Sequence, residues 1–308
     1  MKDKLLYHIY IFLFGSLARL PLGVLYAFSS FVYFLMFHVL RYRKKVVLNN
    51  IKTVFPSWTT DEQEALVRKF YHYLSELIVE IIKVLHISEE EMNKRVEAYG
   101  TDIVEQYAHE GHPVFVLMGH FGNWEWAQQM YRHVDNPAVK CQIYRPSRSE
   151  AFDNVMLRLR SRFNSTCIKQ MQAYRSILKM KQDGTPFLVT FLTDQHPNSA
   201  IMKYWTSFLG QDSAYIVGQE ELGRKVDARY VYLDIERPSR GHYRMTVRPL
   251  EPAENEEYPY TISYLKMMEA SILRQPEIWL WSHRRWFITH QEYNRWRETL
   301  RTSKPHTI

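Results

Sequence analysis

A run of twenty residues from Leu20 to Val39 contains no Asp, Glu, Lys or Arg, and it restricts the N-terminal part of the chain to a membrane or to a protein core. A helix of this length rises about 30 Å, which is enough to cross the hydrocarbon part of a bilayer. A second apolar stretch, residues 5–17, is separated from the run by Arg19. The pattern favours one spanning helix or two helices lying in the membrane interface, with a buried hairpin of a soluble protein as the alternative.

Basic residues follow the apolar run at once, at Arg41, Arg43, Lys44 and Lys45. By the positive-inside rule, they hold this end of the segment in the cytoplasm. We therefore expect residues 1–45 to form a membrane anchor and residues 46–308 to form one globular domain. The net charge of +7 and the aromatic content of 15% suit anionic membrane lipids or a nucleic acid as partner. The apolar run and the lack of a nucleic-acid-binding motif argue against nucleic acid.

Short apolar runs alternate with helical patterns along the rest of the chain. Residues 61–85 carry apolar side chains at intervals of three and four, which predicts a helix. The expected strands are residues 113–118, 139–144, 187–192, 228–235 and 243–247, of which the last two form an antiparallel hairpin. A short helix is expected to start at residues 88–91, and further helices are expected at residues 124–133, 150–163, 171–182, 211–226 and 258–273. This alternation predicts an α/β fold with a mostly parallel central sheet flanked by helices.

The most informative polar residues follow the strand predicted at residues 113–118. His120 and Glu125 are five residues apart, so on one continuous helix they would point in different directions. A tight turn at Gly122, with Asn123 as N-cap, would return the carboxylate of Glu125 to the imidazole. A histidine held by a carboxylate is the arrangement of a general base. The alternative is a core histidine and an unrelated surface glutamate.

Metal-binding patterns give no comparable signal. Cys141 and Cys167 do not form a C-x-x-C pair, and the chain contains no H-E-x-x-H motif. The sequence therefore predicts no metal site.

Five ordered blocks of sequence resemble one enzyme family, the late acyltransferases of lipid A biosynthesis, which include the lauroyl and myristoyl transferases. The run from His120 to Glu125 is similar to the H-x4-D/E motif that this family shares with the glycerolipid acyltransferases. The other similar blocks are Arg43–Pro56, Tyr144–Pro146, Asp194-Gln195 with Phe208–Gly210, and Trp281–Trp286. The resemblance covers nearly the whole chain. Thr193 and Phe287 depart from the family's usual residues, which leaves the identity of the acceptor open.

The resemblance implies a membrane-bound enzyme at the cytoplasmic face of the bacterial inner membrane. It would transfer a fatty acyl chain from acyl carrier protein, or from acyl-CoA, to a hydroxyl of a lipid A precursor, a glycolipid. His120 would take the proton of that hydroxyl, and Glu125 would orient His120. No metal or redox cofactor is implied. A lysophospholipid or aminolipid acceptor, and a membrane-anchored lipid-binding protein without catalysis, are the alternatives.

Arginines supply candidate groups for the negative charges of the substrates and of the transition state. Arg145 follows the strand predicted at residues 139–144, which we expect to lie next to the strand that leads to His120. It would stabilise the oxyanion of the tetrahedral intermediate or bind an acceptor phosphate. Arg158, Arg160 and Arg162 form a basic face on the helix predicted over residues 157–163. We expect this face to be solvated or to bind an acidic carrier protein.

Five further residues are candidates for substrate binding. Asp194 and Gln195 follow the strand predicted at residues 187–192, where they would bond the acceptor or brace the loop that carries His120. Arg284 and Arg285 lie among tryptophans and suit phosphate binding with cation–π support. Asn123, in the motif itself, completes the set.

Overall fold

The computed structural model describes residues 2–134, 138–198 and 202–302. Its strands are β1 (Val96–Tyr99), β2 (Val114–Met118), β3 (Val139–Tyr144), β4 (Thr166–Lys169), β5 (Phe187–Leu192), β6 (Tyr204–Phe208), β7 (Gln211–Tyr215), β8 (Arg229–Ser239) and β9 (His242–Pro249). Seven of them form one sheet in the order β1-β9-β8-β2-β5-β3-β4, and β6 and β7 form a separate hairpin. Among the described residues, only the β8–β9 pair of the large sheet is antiparallel. The predicted mostly parallel sheet is confirmed.

Helices flank this sheet and connect its strands. The α-helices are α1 (Lys2–Arg19), α2 (Leu22–Phe34), α3 (Lys44–Val54), α4 (Thr60–Lys83), α5 (Glu89–Arg95), α6 (Asp102–His109), α7 (Glu150–Arg160), α8 (Ala173–Gln182), α9 (Gly218–Val226), α10 (Pro259–Arg274) and α11 (His290–Thr302). A π-helical turn at Leu35–Val39 extends α2, and a 3-10 helix occupies Trp126–His133. The alternation of strands and helices that the sequence shows is therefore the connectivity of an α/β fold.

The centre of the sheet is apolar for the reason that parallel sheets require. All five residues of β2 are buried, because β5 and β8 pair with it on either side and helices cover its faces.

The long helix α4 begins at a capping box, in which Thr59 Oγ1 accepts from the Glu62 amide and Glu62 accepts from the Thr59 amide at 2.7 Å. This helix is the one predicted at residues 61–85.

The N-terminal segment forms two helices that pack against the globular part. α2 packs against α4, and α1 packs against α7 and α4, so the inner faces of both helices are covered. Leu22–Val39 is the one stretch of the described chain that is long and apolar enough to cross a membrane. The outer face of the two helices exposes large apolar side chains, including Leu5, Ile9, Phe12, Leu13, Val24, Phe28, Phe31 and Phe34. The boundary between an anchor at 1–45 and a domain at 46–308 stays a prediction.

Two local predictions are wrong. The helix expected at residues 211–226 begins only at Gly218, because Gln211–Tyr215 instead pairs with β6. Leu209 and Gly210 both have positive φ, and such a turn matches the twist of an antiparallel hairpin. The helix expected at residues 124–133 is a 3-10 helix that begins at Trp126. β1 and β4, each four residues long, were not predicted.

Candidate active site

The loop after β2 carries His120 at the carboxyl end of the central strand. Glycines make its path possible, because a Cβ at Gly119 would lie 2.4 Å from Met268 Cε and 3.2 Å from Asp194 Cβ. Gly122 has a φ of +59°, and a Cβ there would lie 2.4 Å from Ile235. The loop therefore turns sharply within three residues and places His120 beside the end of β5.

Main-chain hydrogen bonds fix the His120 loop on two sides. The amide of Leu280 donates to the His120 carbonyl at 3.0 Å, and the amide of Gly122 donates to the Ile278 carbonyl at 3.0 Å. The hydroxyl of Tyr73, on α4, donates to the Gly122 carbonyl at 2.5 Å. The backbone of this loop is thus held by segments that are distant in sequence, on α4 and after α10.

The imidazole of His120 contacts the carboxylate of Asp194, which follows β5. Nδ1 of His120 lies 2.7 Å from Oδ1 of Asp194, and Oδ2 of Asp194 accepts from Nε1 of Trp279 at 2.9 Å. The Asp194 side chain is 2% exposed, whereas that of His120 is 20% exposed. Nε2 of Gln195 lies 3.4 Å from Nε2 of His120. Because Asp194 occupies Nδ1, Nε2 is the nitrogen that can face a substrate, and Gln195 lies beside it.

The electrostatics of the pair favour an ionised carboxylate. Burial raises the pKa of Asp194, but the charge of His120 and the hydrogen bonds from His120 and Trp279 outweigh it, so the pKa lies below its ordinary value of 3.8. An ionised Asp194 accepts a hydrogen bond from Nδ1–H, so Nε2 is the unprotonated nitrogen in the neutral form of the imidazole. A buried carboxylate that orients a partly exposed imidazole in this way is the arrangement of a general base.

Glu125 does not make the expected contact with His120. Its carboxylate accepts two hydrogen bonds from Arg160 on α7, from Nε at 2.9 Å and from Nη2 at 2.5 Å. Burial lowers the pKa of Arg160, but Glu125 outweighs this effect and the pKa is raised. The reason for the difference is that Glu125 stands at the start of the 3-10 helix, where its side chain faces Arg160 on α7 and makes no capping hydrogen bond. Arg160 is correspondingly not part of a solvated basic face.

Asn123 is fully buried beneath the loop. Its Oδ1 accepts from the Trp126 amide at 3.1 Å, and its Nδ2 donates to Oε2 of Glu80 at 2.9 Å. Glu80 is itself 0% exposed and also accepts from Tyr26 and Tyr243. The predicted role of Asn123 in substrate binding is corrected, because the side chain has no exposed surface. Asn123 instead caps the turn and ties the loop to α4.

Comparison with known proteins identifies the family of the chain. The family model described as bacterial lipid A biosynthesis acyltransferase matches residues 2–287. The chain belongs to this family. This acyltransferase of lipid A biosynthesis is 24% identical over 252 residues to the lipid A biosynthesis palmitoleoyltransferase of Escherichia coli (strain K12), and the match covers 80% of this chain and 79% of the relative. It is 20% identical over 234 residues to a lipid A biosynthesis acyltransferase of Haemophilus influenzae, covering 75% and 72%.

The three arginines predicted to bind a phosphate or the oxyanion lie in different environments in the acyltransferase. Arg145 is exposed after β3, and β5 lies between β3 and β2, so its strand is not the neighbour of the one that leads to His120. Arg284 is exposed. Arg285 is 3% exposed, donates from Nη2 to the Ala214 carbonyl at 3.0 Å and stacks over Tyr215. The cation–π contact expected with tryptophan is thus made with tyrosine, inside the protein.

Sequence reasoning missed the carboxylate that contacts His120. Asp194 was a candidate for binding the acceptor or bracing the His120 loop, and Trp279 and Tyr73 were not candidates. A signal for Asp194 was present, because Asp194 and His120 both follow strongly apolar strands, and parallel strands end at the same edge of a sheet. No sequence pattern indicated the contacts of Trp279 and Tyr73, because both residues are far from His120 and Asp194 in the sequence.

Proposed function

We propose that the enzyme transfers a fatty acyl chain from a thioester, carried by acyl carrier protein or coenzyme A, to a hydroxyl of a lipid A precursor. The observation that supports this most is the pair of His120 and Asp194 at the carboxyl end of β2, with the imidazole of His120 partly exposed. The family supplies the reaction class, and the pair supplies a base for the proton that an attacking hydroxyl must lose. The reaction needs no oxidant or reductant.

In this proposal His120 serves twice. Nε2 accepts the proton of the acceptor hydroxyl while the hydroxyl oxygen forms a bond to the thioester carbonyl carbon. The tetrahedral intermediate then collapses, the carbon–sulfur bond breaks, and the imidazolium of His120 returns the proton to the leaving thiolate. Asp194 stabilises the imidazolium between these two steps, and Gln195 lies near enough to Nε2 to contact the reacting groups.

The remaining candidates receive supporting roles. Glu125, paired with Arg160, holds the turn that positions His120, rather than touching the imidazole. Arg145 and Arg284 are exposed and suit the phosphates of a glycolipid acceptor. The oxyanion role of Arg145 loses its main support, because a strand intervenes between β3 and β2. Arg285 is a structural residue, since its charge lies inside the protein.

We further propose that the outer face of α1 and α2 lies on the inner membrane and that the catalytic domain faces the cytoplasm. The exposed apolar side chains of that face suit lipid. The basic residues that follow it, Arg41, Arg43, Lys44 and Lys45, suit the anionic surface of the cytoplasmic leaflet.

Mass spectrometry of membrane lipids from cells with and without the gene tests the acceptor and the acyl chain directly. An added acyl chain on the lipid A precursor supports the proposal, whereas one on a lysophospholipid or aminolipid redirects it. In vitro, His120→Ala should lower kcat by about 10²–10⁴. His112→Ala is the matched control, because His112 precedes the opposite end of the same strand and bonds Asp227. Near-normal turnover of a folded His120→Ala variant would overturn the mechanism.

A further inference from the structure

A buried hydrogen-bond network joins the N-terminal helix α2 to the loop that carries His120. The centre of this network is Glu80 on α4, whose side chain is 0% exposed. Oε1 of Glu80 accepts from the hydroxyl of Tyr26 on α2 at 2.9 Å. Oε2 accepts from Nδ2 of Asn123 in the loop at 2.9 Å and from the hydroxyl of Tyr243 on β9 at 2.6 Å. One carboxylate therefore holds three parts of the chain that are distant in sequence.

The loop end of the network fixes the turn between His120 and the 3-10 helix. Oδ1 of Asn123 accepts from the Trp126 amide at 3.1 Å. The indole Nε1 of Trp126 donates to the main-chain carbonyl of Glu80 at 3.1 Å. The Gly122 carbonyl, which is next to Asn123 in the chain, accepts from a tyrosine hydroxyl that is also on α4. The turn is thus attached to α4 at three points, so a displaced Glu80 carboxylate would displace the loop.

The α2 end of the network is held by contacts that do not involve the hydroxyl of Tyr26. The guanidinium of Arg240 lies over the Tyr26 ring, 4.2 Å from its centroid. Nη2 of Arg240 donates to the Tyr26 carbonyl and to Oγ of Ser29, each at 3.4 Å. Nε of Arg240 pairs with Glu76 on α4 at 2.7 Å. Removal of the Tyr26 hydroxyl alone should therefore leave α2 in its place.

The polar contact with Glu80 exceeds what attachment of α2 requires. The helix exposes Phe28 and Phe31 on its outer face, whereas Leu25 and Tyr26 are buried against the globular part. Apolar packing such as that of Leu25 is sufficient to attach a helix. A buried hydroxyl and a buried carboxylate cost free energy unless they are paired, so their pairing specifies one arrangement of the two elements that carry them.

We infer that α2 is part of the scaffold of the active site as well as an anchor, and that Glu80, held by Tyr26, positions the loop that carries His120. The inference rests on the proposed function, in which Nε2 of His120 must reach the acceptor hydroxyl. Because α2 contacts lipid in that proposal, the network fixes His120 relative to the membrane surface in which the acceptor lies. Accurate placement matters for the rate, since a displacement of about 1 Å can lower it about 100-fold.

Replacement of Tyr26 by phenylalanine separates positioning from anchoring. Tyr26→Phe removes one donor to Glu80 and keeps the ring beneath Arg240. A hydrogen bond to a charged group corresponds to about tenfold in an equilibrium, so kcat should fall by about that factor. The KM values of donor and acceptor and sedimentation with anionic vesicles should not change. The assay is acyl transfer from a thioester of acyl carrier protein or coenzyme A to a lipid A precursor, with each substrate varied.

Hydrogen exchange of the backbone amides of residues 119–127 gives a second measurement on the same variant. The network holds these residues to α4, so Tyr26→Phe should make their exchange about tenfold faster. A general loss of stability would not be confined to this loop.

Two controls match the substitution. Tyr33→Phe removes a hydroxyl from the same helix, at a ring that stacks on His72 with 3.6 Å between the centroids. Tyr232→Phe removes a buried hydroxyl on β8 that donates to Ser271 on α10, and it reports the effect of losing such a bond on stability. Both controls should keep the wild-type kcat and the wild-type exchange of the loop.

The outcomes distinguish this inference from the proposed function. Near-normal kcat and unchanged loop exchange in Tyr26→Phe would overturn the positioning role and leave the proposed function intact. An equal loss of kcat in Tyr232→Phe, or a loss of vesicle sedimentation that parallels the loss of kcat in Tyr26→Phe, would also overturn it. Absence of acyl transfer by the wild-type enzyme would overturn the proposed function itself.

Discussion

Replacement of Asp194 by asparagine removes one charge from the proposed catalytic pair and keeps the shape of the side chain. Asp194 accepts two hydrogen bonds, from Nδ1 of His120 and from Nε1 of Trp279. Asparagine has only one acceptor oxygen, so one of these two donors must face an NH₂ group. If that NH₂ faces His120, Nδ1 becomes the acceptor and Nε2 carries the proton, so the imidazole is the wrong tautomer for a base. If it faces Trp279, the indole N–H loses its acceptor.

Both orientations of the new amide group also remove the negative charge that stabilises the imidazolium. We therefore expect Asp194→Asn to lower kcat by about 10²–10⁴, the range by which a general base contributes. The KM values of donor and acceptor should change much less, because the charge matters most in the transition state. In the orientation that leaves the Trp279 indole N–H unpaired, the free energy of unfolding should fall by about 1–3 kcal/mol.

Steady-state kinetics with donor and acceptor varied separately, together with urea unfolding, measure both effects. Asp234→Asn is the matched control, because Asp234 is a similarly buried aspartate on β8 that accepts from Ser271 and Arg274. The control should lose stability but keep kcat to within a few-fold. If Asp194→Asn retains near-normal kcat, or if its loss appears only in KM, the pair does not act as a base and the reasoning fails.

Three further predictions follow from individual contacts. Glu125→Ala removes the carboxylate that pairs with Arg160, whose side chain is only 19% exposed, and should lower the free energy of unfolding by about 3–5 kcal/mol in urea titrations. A loss near zero would contradict a structural role for the pair. Phe31→Glu on the outer face should reduce sedimentation with anionic vesicles at unchanged unfolding free energy, and undiminished sedimentation argues against the membrane face. The stability difference between wild type and Asp194→Asn should be fully present above the ordinary aspartate pKa of 3.8 and should disappear as the pH falls through the lower pKa of folded Asp194, because protonated Asp194 has no charge. Urea titrations at several pH values measure this difference, and a difference that grows in acid would contradict the prediction.

Much of the fold could be predicted because it depends on local patterns. β2 is a continuous apolar run and β5 is apolar apart from Thr190, and such runs need cover on both faces, which a parallel sheet with flanking helices provides. The start of α4 follows from Thr59 and Glu62, which bond to each other across three residues. The hairpin of β6 and β7 was harder, because Gln211–Tyr215 has no strong strand pattern and is defined by the turn at Leu209 and Gly210.

The sequence by itself determined that a histidine follows a buried strand, next to glycines that allow a sharp turn. The partner of that histidine was decided only by the tertiary structure. His120 and Glu125 are close in the chain, but the direction of the Glu125 side chain depends on the 3-10 helix and on the position of Arg160 on α7. Asp194 is 74 residues away and reaches His120 because β5 pairs with β2. Strand order is set by how whole strands and helices pack together, so no local pattern specifies which carboxylate arrives beside the imidazole.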